Sequence, residues 1–126
     1  MKKIFILIFV LALFSCKKEK QEQPNKTVYA LEYKVIFASD ATNGEIHYKD
    51  ENSVTQITSS KYGVTWKQII NASAGFEMYL KAAGIRSYST NGSPNYTDCV
   101  IQILQNGNIV AEKSGFYFQE LIYVVK

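Results

Sequence analysis

Two cysteines, two prolines, one tryptophan, one histidine and a single arginine, Arg86, are all that this 126-residue chain has of those residue types. Cys16 and Cys99 are too few for a disulfide framework. With His47 as the sole imidazole, a zinc site of the usual His and Cys composition has no ligand set, so no metal is expected. A nucleophile–base pair would have to join His47 to Cys99. Alternation in EIHYKD and TDCVIQIL sends the first outward and the second inward, where a free cysteine behaves as a small hydrophobe with an inert thiol. The carboxylates are scattered: Asp50 and Glu51 are neighbours in a turn, where consecutive side chains diverge, and no second acid is selected for acid–base work. Glycine-rich phosphate cradles, G-x-S-x-G and calcium-loop spacings are also missing. The expectation is a protein that is not an enzyme and takes no cofactor. Nor does its charge suit nucleic acid: 14 basic residues face 11 acidic ones, and the excess falls to about +1 once Lys2 and Lys3 are set aside.

A long hydrophobic run is missing as well. The eleven residues Ile4–Phe14 are uninterrupted by polar side chains but fall short of the roughly 20 needed to span a bilayer. The basic start Met1-Lys2-Lys3, the short apolar core and the small Ser15 have the form of an export signal. The alternative readings are an ordinary secretory signal with an incidental cysteine, or an uncleaved core segment. Leu13-Phe14-Ser15-Cys16, however, resembles the lipobox of bacterial lipoproteins. The resemblance implies cleavage before Cys16 and a diacylglycerol thioether on its sulfur, usually with N-acylation. It divides the chain into a signal peptide (1–15), a lipidated cysteine with its tether (16–26) and a domain (27–126). Two or three acyl chains, at about 0.8 kcal/mol per buried CH₂, hold a small domain stably where one would not. Lys17 after Cys16, with no aspartate there to signal inner-membrane retention, implies a lipid-anchored envelope protein of the outer membrane. The tether KKEKQEQPNK has no apolar residue and is too polar to fold.

From Thr27 onward the pattern has a period of two. Tyr29, Leu31, Tyr33, Val35 and Phe37 alternate with Ala30, Glu32, Lys34 and Ile36, as in a strand with one buried face. GEIHYKDENSVTQITSS repeats the pattern around a polar turn at Asp50–Asn52 and reads as a hairpin. Val64, Trp66 and Gln68 share a face, as do Phe76, Met78 and Leu80. CVIQILQNGNIVAEKS sets two β-rich runs around Asn106-Gly107, the dipeptide suited to a type I′ turn, and Leu121–Val125 forms a last strand. Residues 84–97, GIRSYSTNGSPNYT, read as one long polar loop. No helical stripe appears. Short strands separated by Gly, Asn and Ser argue for an all-β antiparallel sandwich or barrel of about seven strands in a single domain.

The succession EYKVIF, GEIHYKDENSVTQI, VTWKQII, FEMYLKAA and VIQILQNGNIVAEKSG resembles the immunoglobulin-like domain of MmpS-type transport accessory proteins and of the small envelope lipoproteins that share it. The likeness runs over residues 28–125 and implies an immunoglobulin-like sandwich whose partner is a membrane transport or assembly protein. Some relatives of that kind carry a cysteine pair near the C-terminus. Cys99 stands alone here, so no crosslink is implied. Where the MmpS proteins have a transmembrane helix, this chain has the lipobox.

What is abundant is aromatic: nine tyrosines and seven phenylalanines, of which Phe5, Phe9 and Phe14 belong to the signal. Trp66 reads as a core anchor. Tyr79, Tyr88 and Tyr96 read as a candidate binding surface beside the 84–97 segment, since tyrosine supplies contact area at low entropic cost. The expected role is a non-catalytic accessory or binding module. A surface-displayed binder of carbohydrate or another small ligand, or a small enzyme inhibitor presenting residues 87–95, fits the same features.

Overall fold

The computed structural model describes residues 24–61 and 65–126. The signal segment, Cys16, most of the tether and Val64 lie outside the described residues. Among the described residues nine strands form: β1 (Val28–Phe37), β2 (Asn43–Lys49), β3 (Thr55–Lys61), β4 (Thr65–Ser73), β5 (Glu77–Tyr88), β6 (Pro94–Thr97), β7 (Cys99–Gln105), β8 (Asn108–Gly115) and β9 (Gln119–Val124). All pairings are antiparallel, and there is no helix among the described residues.

One sheet has the order β4-β1-β7-β8. The other has the order β3-β2-β5, with β9 and β6 pairing successive stretches of the far side of β5. The consecutive strands β1 and β2 lie in opposite sheets and pair with β4 and β5, which are likewise consecutive and in opposite sheets. In the immunoglobulin scheme these are the B–E and C–F pairs. By the same correspondence β3 takes the C′ place, β9 and β6 share the G place, and β7 sits beside β1 where an A strand would run. The fold is an immunoglobulin-like β-sandwich.

Period two puts one face of each strand in the core. Leu31, Tyr33, Val35 and Phe37 of β1 meet Cys99, Ile101 and Ile103 of β7 and Ile70 of β4. Across the sandwich they face Ile46 of β2 and Met78, Leu80 and Ala82 of β5. The turn between β7 and β8 has Asn106 and Gly107 at φ +51° and +81°, the two positive values a type I′ turn requires.

Residues 84–97 differ from the sequence expectation. They are not a loop, because β5 continues to Tyr88 and returns as β6 through a short turn at Ser89–Ser93. That turn is closed by Ser89 N to Ser93 O (2.9 Å) and Gly92 N to Ser89 O (2.9 Å). The hairpin adds β6, which has no counterpart among the roughly seven strands expected, and a turn at Ser89–Ser93 stands in place of an 87–95 loop. Its polar composition hid it for a physical reason. The register slips between Ile85 and Ser87, and beyond that point the residues of β5 are solvated, so alternation no longer marks a buried face.

The turn between β2 and β3 is built by a carboxylate. Asp50 Oδ1 accepts from the backbone N–H groups of Asn52 and Val54, both at 2.9 Å, and Oδ2 accepts from Gln56 Nε2 at 2.8 Å. These donors, Val54 foremost, hold the Asp50 carboxyl below its ordinary value of 3.8. The unfolded chain therefore binds the proton more readily than the folded one, so this stabilisation is present above pH 3.8 and is lost as pH falls through the lower folded value. Urea unfolding should accordingly show Asp50→Ala less stable than the parent at neutral pH, with the gap closing in acid. A gap that persists in strong acid contradicts this.

Candidate functional site

Strand β1 gives the domain two poles. The chain enters at Val28, beside Ser73 of β4 and the Asn106 turn, whose N–H bonds to Ala30 O at 2.8 Å. The last strand also ends near this pole, with Val125 O accepting from Gly75 N at 2.8 Å. At the far end Phe37 pairs with Cys99, and Cys99 with Gly115, so Thr97, Asp98 and the link after Gly115 gather there. Ten residues of strand, at about 3.3 Å each, separate the poles by about 30 Å.

The three candidate tyrosines are not brought together as one surface. Tyr79 projects from the outer face of β5, half-buried, and its hydroxyl donates to Glu120 Oε2 of β9 at 3.2 Å. Burial, and then the Glu120 charge, push its pKa up, so its polar tip is committed within the sheet. Tyr88 is exposed at the end of β5, and its oxygen accepts from Asn43 Nδ2 at 3.4 Å. Only Tyr96, opposite Ile85 on β6, joins an aromatic cluster.

That cluster is completed by residues the sequence reading passed over: Phe116, Tyr117 and Phe118, in the link between β8 and β9. Tyr96 lies 5.0 Å from Tyr117 and 5.9 Å from Phe118 between ring centroids, and Phe116 meets Tyr117 edge-on at 4.4 Å. The two separations from Tyr96 fall in the favourable range for aromatic pairs. Phe118 is seated on the outer face of the second sheet. Lys81 Nζ lies 4.8 Å from its centroid, and the His47 ring meets it edge-on at 6.2 Å. Phe116 and Tyr117 instead remain 46% and 58% exposed. Gln119 Nε2 ties the arch down by donating to Phe116 O at 2.9 Å. Tyr117 has φ +66°, a left-handed conformation that a bulky residue rarely adopts. One signal was available: three successive aromatics after Gly115 cannot all face the core when side chains alternate.

Beside the arch is a cleft of about 180 Å³ lined by Arg86, Pro94, Asn95, Tyr96, Phe116 and Tyr117. Arg86 Nη1 lies 3.4 Å from Asp40 Oδ2, and Asp40 Oδ1 accepts from the buried Thr97 Oγ1 at 2.6 Å. A larger cleft of about 350 Å³ runs along Ile36–Ala38, Asp98–Val100 and Ser114–Gly115 at the same pole. Its walls lack the convergent polar groups of a ligand site.

Other chemistry is dispersed. His47 Nε2 is 2.6 Å from Glu45 Oε1 on the outer face of β2. Cys99 is buried in the core with Sγ 3.6 Å from Ala82 O, and burial pushes its thiol pKa up. The two are thus on different faces of the sandwich. Among the described residues no group of three or more His, Cys, Asp or Glu side chains converges as a metal site would, and no helix is long and apolar enough to cross a membrane.

The described residues form an immunoglobulin-like sandwich with an exposed aromatic arch at one pole. No protein-family model matches the chain, and no curated protein matches it.

Proposed function

We propose that this chain is a non-catalytic lipoprotein of the cell envelope, anchored through Cys16 and acting as a binding or accessory module. The observation that carries the proposal is the placement of the arch. Phe116 and Tyr117 are exposed at the pole opposite Val28, where the tether joins. An acylated Cys16 would put the Val28 pole toward the bilayer and hold the aromatic pole away from it, free to meet a partner. Exposed aromatics grouped in this way are a common basis for recognition, because they supply contact area at little entropic cost. The order of strands, with its resemblance to the MmpS-type domain, favours a membrane transport or assembly protein as the partner, and Lys17 favours the outer membrane.

The test is purification of the full-length, natively processed protein from its own envelope in mild detergent, followed by mass spectrometry. The expected result is a mature chain beginning at an acylated Cys16, with a stoichiometric partner that is lost in Tyr117→Gly. An unacylated chain beginning elsewhere would remove the anchor, and a partner retained by the variant would remove the arch from the account.

A further inference from the structure

The cleft beside the arch has a composition that selects among ligands. Three of its walls are aromatic: Tyr96, Phe116 and Tyr117, the last two largely open to solvent. Its rim is polar on one side. Arg86 is 56% exposed with its Nη1 3.4 Å from Asp40 Oδ2, so its five-donor fork stays open to solvent beside the cleft. Asn95 Nδ2 donates to Ser87 Oγ at 2.9 Å, which turns the amide nitrogen inward to the hairpin and leaves Oδ1 as the acceptor. Asp40 sits against the guanidinium and offsets its charge.

We propose that this cleft binds a single neutral sugar ring, such as the terminal unit of a glycan; the proposal rests on the binding-module reading above. A sugar has an apolar C–H face, which suits the rings of Tyr117 and Phe116. Its hydroxyls both donate and accept, which suits a rim carrying guanidinium donors beside an amide oxygen. Because Asp40 compensates Arg86, an anion gains little here, and the neutral ligand is the better fit. The size agrees: about 180 Å³ is below the roughly 300–1,000 Å³ of sites for drug-sized ligands and suits a single ring. The position agrees too, at the pole remote from the tether. The left-handed backbone of Tyr117 holds an aromatic outward at the cost of local strain, a feature that clusters at ligand clamps.

The backbone strain also supplies a clean variant. Glycine accepts φ +66° without penalty, so Tyr117→Gly removes the ring and leaves the fold in place. The experiment applies the full-length protein in mild detergent to an array of neutral and acidic oligosaccharides, beside Tyr117→Gly, Arg86→Gln and the control Ile69→Ala on the other sheet. The expected result is retention on neutral hexose-terminated glycans that drops about tenfold in the first two variants, the size of one lost stacking or charge-assisted contact, and is unchanged in the control. Retention on acidic glycans alone, retention indifferent to Tyr117 and Arg86, or no retention at all overturns the assignment. If no glycan is retained while Tyr117→Gly still abolishes co-purification of an envelope protein, the sugar falls and the binding-module reading stands. If neither is seen, both fall.

Discussion

Gly44→Ala is expected to destabilise the domain by about 2 kcal/mol, and Gly44→Val by about 3 kcal/mol, toward the upper end of overpacking costs. Gly44 is buried on the inner face of β2, and the ring of Phe37 lies directly over its Cα. A methyl group added there would come within 2.2 Å of Phe37 Cζ and 2.5 Å of Cε1. The ring has little freedom to move aside. Phe37 is only 2% exposed, and a Cβ built at Gly84, the residue paired with Gly44 on β5, would also come within 3.3 Å of Phe37 Cδ1. Two small residues on neighbouring strands thus make the slot into which Phe37 inserts. The signature of this mechanism is a compensating pair. Phe37→Leu alone should destabilise by leaving a void, whereas in the Gly44→Ala background it should recover about 1–2 kcal/mol. Urea midpoints of the four proteins measure this, and strictly additive effects would show that the clash is not the cause. Against a total stability of about 5–15 kcal/mol, either glycine substitution is a large fraction.

Tyr33→Ala is expected to cost as much or more, about 3–5 kcal/mol. Tyr33 is fully buried in β1, yet its hydroxyl crosses the sandwich to donate to Lys49 O of β2 at 2.7 Å. It therefore ties the two sheets by packing and by a hydrogen bond together. Its ring also begins an aromatic stack, 5.6 Å to Tyr48, which in turn is 5.3 Å from Trp66. Tyr33→Phe keeps the packing but leaves the Lys49 carbonyl without its donor, for a cost of about 1–2 kcal/mol. Trp66→Ala should cost less than Tyr33→Ala, because the tryptophan closes the stack at the half-buried edge instead of standing in its centre. Burial, the largest influence, pushes the Tyr33 pKa above its ordinary 10.0. The folded form keeps the phenol neutral while the unfolded chain ionises, so its contribution is intact below pH 10.0 and declines as pH rises beyond it. A Tyr33→Ala protein as stable as Tyr33→Phe would contradict this account of the core.

The fold was legible where one face of a strand is buried and the other wet. Leu31 to Phe37, Met78 to Ala82 and Ile101 to Ile103 each carry that alternation, and all are core. The Asn106-Gly107 turn was legible because the chemistry of positive φ admits few residues. Legibility fails where burial is one-sided or absent. The β5–β6 hairpin has the composition of a loop because its outer half is solvated, and its pairing is fixed by partners distant in sequence, such as Thr97 with Asp40. The site was half legible. Aromatic excess pointed toward tyrosine at the surface, and Tyr96 is part of the cluster, but Tyr79 proved to be tied to Glu120 and Tyr88 to Asn43. Which aromatics remain free depends on the topology. Only the return of β8 over the second sheet as β9 brings Phe116, Tyr117 and Phe118 against Tyr96, and no local pattern encodes that meeting.

The aromatic pole is proposed as the face by which this protein meets its partner. Photo-crosslinking in the protein's own cells tests this, with a photoreactive side chain placed either at Tyr117 or at Ile69, which is exposed on the outer face of the other sheet. A discrete adduct is expected from position 117 and none from position 69. An adduct from position 69 with none from position 117 would contradict it.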